Sequence, residues 1–313
     1  MPDNINTLKS QKGSSTWTNI IYAQKAEIAY LRKKFKFNEI DLRDSYAKNI
    51  AQRPKFYVRG NYSFLILQFP VFNKKSRTIE AEEVDFFIGK NHFITVHKDN
   101  LPPLVELFNS CVSDKFYRDQ YLYDGNTALL HEIISRLQEY CYPIMDHISL
   151  DITNIEANIF AGREREMVRE ILLIKRNILS FRKIMEVHKD IIQKIIKTDA
   201  SYLDTKPMKP YYFDLIEHTK DIWDILNGQK EMIEALEDTN TSLISFKLND
   251  IMRTLTVFSV IVFPLTLLAA VFGMNTVNGM PFIESPYGFW GVVVVMFIGA
   301  GLMFAYFRRK RWI

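Results

Sequence analysis

The stretch LTVFSVIVFPLTLLAAVF, Leu255 to Phe272, runs for eighteen residues without a charge. As a helix it extends about 27 Å, close to the roughly 30 Å hydrocarbon core of a bilayer. A second run, FWGVVVVMFIGAGLMFAYF from Phe289 to Phe307, is uncharged over nineteen residues. Buried helices of soluble proteins rarely stay uncharged for so long, so the two runs read as a membrane hairpin. The connection between them, about 273–286, has no room for a folded domain.

Basic residues set the orientation of that hairpin. Arg308, Arg309, Lys310 and Arg311 abut the second run, Lys247 and Arg253 precede the first, and the connection has no Lys or Arg. The positive-inside rule then places the chain in the cell (inner) membrane with both termini cytoplasmic. The start, MPDNINTLKSQKGSSTW, has no apolar stretch, so no signal peptide is expected. Of the 313 residues, 1–254 hold 36 of the 40 bases and 35 of the 36 acids. The net charge of +4 therefore resides mainly in the tail, and no basic face calls for nucleic acid as a partner. The mean hydropathy of −0.08 conceals the spans by averaging. Cys111 and Cys141 are too few for a disulfide framework or a cysteine zinc site, which fits a reducing compartment.

Ahead of the spans, 17–97 reads mainly as strands with a helical interruption near 23–34. Lys55–Val58, Tyr62–Phe69, Val84–Ile88 and His92–Val96 are short β-branched or aromatic runs, with turn signals at Gly60-Asn61 and Gly89-Lys90-Asn91. Helical periodicity follows near 101–109, 126–161 and 164–197, the last two long enough to pair antiparallel. Pro207 and Pro210 mark a break. From Tyr211 to Phe272 there is no strong terminator, because Gly228 is tolerable and Pro264 lies within the membrane. One continuous helix would couple a soluble domain to a span, an arrangement suited to a gated pore.

A two-span subunit cannot enclose an aqueous path, so a pore must lie between subunits. Steps of three and four along the first span gather Asn249, Met252, Thr256, Ser259, Phe263, Thr266, Ala270 and Gly273 on one face. Thr256, Ser259 and Thr266 supply hydroxyls there, and Met252 and Phe263 supply apolar constrictions. Continued backward at a 3.5-residue period, the stripe takes in Asp238, Glu231, Asp224, Asp221, Glu217 and Asp214. These are six of the nine acids between 212 and 250, and no base falls among them. A ring of such helices would offer an acidic vestibule that concentrates cations. The acids also read as a solvated face, and the hydroxyls as satisfying their own helix carbonyls.

The first span ends at Gly273-Met274-Asn275. With its flanks, LNDIMRTLTVFSVIVFPLTLLAAVFGMN (Leu248–Asn275), a short loop and a second span with a basic tail, this closely resembles the CorA family of magnesium transporters. RPKFYVRGNYSFLILQFP (Arg53–Pro70) resembles that family's cytoplasmic domain more loosely. The resemblance implies an α+β chain that assembles as a homopentameric channel in the lipid bilayer. A cytoplasmic α/β funnel domain with a long helical pair (1–210) leads to a stalk helix (211–253) and a pore-lining first span (254–272). An external loop (273–286), a second span (287–307) and a basic cytoplasmic tail (308–313) complete it. Asn275 would form the selectivity ring, with Gly273 and Met274 shaping the turn. Asn249, Met252, Leu255, Phe263 and Thr266 fall on pore-lining positions, although relatives often carry Met where this chain has Phe263. Asp214 falls on an acidic position of the regulatory divalent site between subunits, its partner carboxylate unassigned.

The chemistry suits Mg²⁺, which holds six oxygens octahedrally and gives up water reluctantly. Neutral amide oxygens at Asn275 can accept hydrogen bonds from the bound waters and select a hydrated ion. Glu284, the loop's sole acid, would attract cations to the entrance or act as a solvated loop residue. There is no GxxxxGK[ST] or GxGxxG, so no nucleotide is expected. None is needed, because two charges crossing an inside-negative membrane gain roughly 4.6 kcal/mol per 100 mV. Mg²⁺ is thus expected both as cargo and as regulator, bridging Asp214 to hold the path closed. The basic collar reads first as topogenic. Co²⁺ and Ni²⁺ have similar hydrated dimensions, and the alternative within transport is a zinc transporter of the same superfamily, proton-coupled or not. An enzyme is not expected: none of His92, His97, His131, His147, His188 and His218 forms an HxxxH or HxxEH spacing. An inert tether would leave the polar membrane stripe without purpose.

Overall fold

The computed structural model describes residues 4–9, 15–47, 52–123, 125–275, 281, 285–310 and 312. Glu284 and Arg311 lie outside the described residues. The chain divides into two compact units, Met1–Glu237 and Asp238–Ile313.

The first unit is built on a six-stranded sheet. Its strands are β1 (Ile5–Lys9), β2 (Thr16–Ile21), β3 (Lys55–Val58), β4 (Tyr62–Asn73), β5 (Thr78–Gly89) and β6 (His92–His97), in the spatial order β1-β2-β6-β5-β4-β3. All pairings are antiparallel except β2 with β6. Helices α1 (Lys25–Phe35) and α2 (Glu39–Asp44) interrupt the strands. Then come α3 (Pro102–Ser113), α4 (Lys115–Tyr123), α5 (Asn126–Glu139), α6 (Cys141–Phe160), α7 (Glu164–Met185) and α8 (His188–Ile196). Helix α9 (Lys209–Phe272) is continuous over 64 residues and contributes to both units, and α10 (Gly288–Arg309) completes the second.

β4 reads as a largely apolar run, interrupted at Ser63 and Gln68, because both of its faces are covered. Phe64 and Ile66 join Ile20, Leu31, Leu42, Phe87 and Ile94 under α1 and α2. Leu65, Leu67 and Phe69 join Trp17, Phe86 and Phe93 under the helices of the other face, among them α3, α5, α8 and the start of α9. Alternating residues of one strand thus feed two cores, as period-two geometry requires.

Sequence periodicity and structure agree on β3 to the residue and differ elsewhere. The helix expected over 126–161 breaks at Tyr140, and Pro143 sits in the first turn of α6, where it needs no N–H partner. The helix expected over 164–197 breaks after Met185. There His188 turns inward and its Nε2 lies 2.7 Å from the Gln68 carbonyl. The expected antiparallel pair is realised by the shorter α6 and α7, joined through Gly162 at φ 87°. Ile144, Ile148, Ile152, Ile155 and Ile159 line α6, and Ile171, Ile174, Ile178 and Phe181 line α7.

Candidate functional site

Within the first unit, α9 presents a buried stripe of Tyr212, Leu215, Thr219, Ile222, Leu226, Gln229, Ile233 and Leu236. The polar members are tied across helices. Gln138 donates its amide to the Leu215 carbonyl (3.2 Å) and the Thr219 hydroxyl (2.8 Å), and Gln229 donates to the Met145 carbonyl (2.8 Å) and Ser149 Oγ (2.9 Å). Lys175 pairs with Glu237 at 2.5 Å, and the Arg182 guanidinium stacks 4.8 Å from the Trp223 ring. Sequence reasoning missed these clamps. The signal was present in Thr219 and Gln229, polar residues on a stripe otherwise of Tyr, Leu and Ile.

The opposite side of the same stretch carries Asp214, Glu217, Asp221, Asp224 and Glu231, all exposed; Asp238, at the start of the second unit, is exposed as well. Near Asp214, His131 lies 5.7 Å from the rings of both Tyr211 and Tyr212. Burial lowers the His131 pKa, against the Tyr211 backbone and the charge of Asp214. Among the described residues no three His, Cys, Asp or Glu side chains stand close enough in one chain to hold a metal ion.

In the second unit α9 has two unlike faces. Val257 is 5% exposed, and Ile261, Leu265, Leu268 and Phe272 are half-buried at intervals of three and four residues. About half a turn around the helix stand Asn249, Met252, Thr256, Phe263 and Thr266, all exposed, together with half-buried Ser259. Leu255 is exposed at the margin of this face. Phe263 is the most exposed of these apolar side chains, at 71%. A cleft of about 430 Å³ lies between the helices toward the end of α9, lined by Ala269, Phe272 and Gly273 and, from α10, Gly288, Val292 and Met296. Phe272 of the less exposed face meets α10 across this cleft, and Gly273, at the end of the hydroxyl stripe, lines it too, whereas Asn249, Met252, Thr256, Ser259, Phe263 and Thr266 do not.

Each hydroxyl on the stripe donates its proton to its own helix. Thr256 bonds the Met252 carbonyl (2.8 Å), Ser259 that of Leu255 (2.9 Å) and Thr266 that of Val262 (2.9 Å). The two readings of the hydroxyls are therefore compatible. With the proton committed, each oxygen offers only lone pairs outward, the polarity that suits water molecules oriented by a cation.

The helix ends at Phe272. The Gly273 N–H reaches the Ala269 carbonyl at 2.9 Å and the Met274 N–H reaches that of Val271 at 3.3 Å, closing the last turn. A Cβ on Gly273 would sit 3.2 Å from the Ala269 oxygen, so a bulkier residue would displace this turn. Asn275 follows, exposed.

Comparison with known proteins identifies the family. The family profile described as CorA-like Mg²⁺ transporter protein matches residues 12–309. The chain belongs to that family. Similar proteins include the cobalt/magnesium transport protein CorA of Thermotoga maritima, 27% identical over 308 residues, covering 95% of this chain and 83% of the relative. The protein of the same name from Methanocaldococcus jannaschii is 23% identical over 298 residues, covering 95% and 91%. Among solved structures, the complete CorA magnesium transporter of M. jannaschii superposes with a TM-score of 0.84 at 22% identity, covering 98% of this chain and 94% of that one. The ZntB cytoplasmic domain from Vibrio parahaemolyticus gives 0.61 at 12% identity, covering 76% and 89%, a likeness of fold alone. The CorA-like membership and the two long apolar helices make this a membrane protein.

Proposed function

We propose that the protein is a homopentameric channel for potential-driven influx of hydrated Mg²⁺, gated by intracellular Mg²⁺, with Co²⁺ and Ni²⁺ as further candidates. The first spans surround the axis, both termini are cytoplasmic, and residues 1–210 with the stalk 211–253 lie inside the cell. The observation that carries this reading is the division of α9: one face less exposed, its Phe272 lining the cleft to α10, and the opposite face bearing Asn249, Met252, Thr256, Ser259, Phe263 and Thr266. Polar oxygens on the side away from the chain's own second span call for an aqueous neighbour, which several copies together can supply.

On this reading Asn275, with Gly273 and Met274, forms the external selectivity ring, and amide oxygens accept hydrogen bonds from the ion's water shell. Met252 and Phe263 are the apolar constrictions that close by expelling water, and Leu255 adds to the inner one. The exposed acids from Asp214 to Asp238 raise the local cation concentration. Regulation works through Asp214: Mg²⁺ shared between copies holds the path shut, and its loss leaves like charges to push the copies apart. Glu284 draws cations to the outer mouth.

The test is flux into liposomes. Purified protein should admit Mg²⁺ when an inside-negative potential is imposed, and the extracted particle should contain five copies. A monomeric particle, or Zn²⁺ entry that follows a pH gradient while Mg²⁺ stays out, would replace this reading with a tether or with the zinc transporter.

A further inference from the structure

The second unit holds one small cluster that the transport reading does not use, at the inner end of the two helices. Its buried hydrophobic side chains among the described residues are Val257 on α9 and Phe307 on α10, 5% and 8% exposed. The tail folds back onto Phe307. The Lys310 N–H closes α10 on the Tyr306 carbonyl (3.1 Å), and the Trp312 N–H reaches back to the Phe307 carbonyl (3.0 Å). This bond, from five residues downstream, is the kind that ends a helix by reversing the chain. It sets the Trp312 ring 5.7 Å from the Phe307 ring and 6.0 Å from the guanidinium carbon of Arg253.

Arg253 sits at a sensitive place. It follows Met252 by one residue, about 100° around the helix, and precedes Val257 by one turn. Asp250, on the same helix and largely exposed, lies 4.0 Å from its guanidinium. An arginine stem is long and adaptable, so its resting place is decided by what the guanidinium can stack upon. An indole face is the best aromatic partner for it.

We propose that Trp312 is a positioning residue for the inner mouth: it holds the Arg253 guanidinium on the α10 side of α9, away from the face that carries Met252. Without the indole the cation is free to swing toward that face, where one copy from each subunit would confront a divalent ion. The inference rests on α9 lining the path. A unit charge about 8 Å from a doubly charged ion in a water-like medium slows passage about fivefold.

The experiment measures Mg²⁺ entry into liposomes containing the full-length protein and a Mg²⁺-sensitive dye. Trp312→Ala should lower entry about fivefold or more, Trp312→Phe should keep most of it, and Arg253→Gln in the Trp312→Ala background should restore it. Particle size in detergent identifies variants that fail to assemble. Should Trp312→Ala disassemble, Arg253→Gln alone decides, with entry at or above the unaltered protein expected. Unchanged entry in Trp312→Ala, an unrescued double variant, or reduced entry in Arg253→Gln would each overturn the proposal. Absence of Mg²⁺ entry in the unaltered protein would instead overturn the channel reading beneath it.

Discussion

Gln229 of α9 donates its side-chain amide to the Met145 carbonyl of α6 at 2.8 Å, and the same nitrogen reaches Ser149 Oγ at 2.9 Å. The long helix is thereby keyed to α6 by a directional contact as well as by apolar packing. Gln229→Ala should lower the stability of this region by about 1–2 kcal/mol, since two hydrogen bonds and side-chain volume are lost together. Hydrogen exchange of amides in α6 and in the 215–235 part of α9 would report it as faster local opening.

At the outer mouth, Asn275→Ala should abolish selective Mg²⁺ entry while the particle still assembles. Asn275→Asp should hold a divalent ion more tightly and slow its release, because a charged ring competes with the ion's waters. Flux against external Mg²⁺ concentration separates the two, the second showing saturation at lower concentration and a lower maximum.

Phe263 is 71% exposed in the single chain, so Phe263→Ala should scarcely change the stability of one copy's fold. Its effect should appear in gating. On the proposed channel reading a shorter side chain widens the apolar ring, and entry at high internal Mg²⁺ should rise several-fold.

Asp214→Lys should weaken suppression of the flux by internal Mg²⁺, with the apparent inhibitory concentration rising. Inhibition unaltered by that exchange would remove Asp214 from the regulatory machinery.

Two histidines predict an acid limb of instability. His97 Nδ1 accepts the Asp99 N–H (3.1 Å) and its Nε2 lies 3.0 Å from Asn19 Oδ1, so a second proton would break a bond. His188 is fully buried against Phe69. Burial lowers both to about 4. Their lowered values favour the fold above the unfolded pKa of about 6.5, and that advantage is lost as pH falls toward 4, by roughly 3 kcal/mol each at most. His97→Gln should make this limb shallower.

Asp85 opposes that trend. It is 2% exposed, and burial followed by the neighbouring Glu83 raises its pKa well above the carboxylate range. A raised value favours the fold at low pH and disfavours it as the carboxyl is forced to ionise. Asp85→Asn should therefore raise the thermal midpoint at pH 8 and leave it nearly unchanged at pH 3, below the unfolded carboxyl's pKa of about 3.9.

Much of this could be read from the chain because local and tertiary demands coincide. Lys55–Val58 is bounded by a proline before it and Gly60-Asn61 after it, and β3 occupies those four residues. The two apolar runs stand out because the bilayer imposes a length. Where the demands diverge, the reading fell short. β5 begins at Thr78, well ahead of the apolar Val84–Ile88, because Glu80, Glu82 and Glu83 pair along β4 in spite of low strand propensity. β1 (Ile5–Lys9) and α4 (Lys115–Tyr123) are short, and tertiary neighbours decide them. The parallel pairing of β2 with β6 joins residues more than seventy positions apart, which no local pattern records. At the candidate site the stripe from Asn249 to Thr266 was legible by spacing alone. The contact between Arg253 and Trp312 was not, since it depends on a tail that doubles back.

The two faces of α9 between Val257 and Phe272 also limit how this gene can change in length. One residue inserted between Val257 and Phe263 would rotate everything beyond it by about 100°, turning Phe263 and Thr266 out of phase with Met252 and Thr256. Deletions would do the same in the other sense. Descendants of this sequence can exchange side chains along the span, but they can add or remove residues there only in near-complete turns.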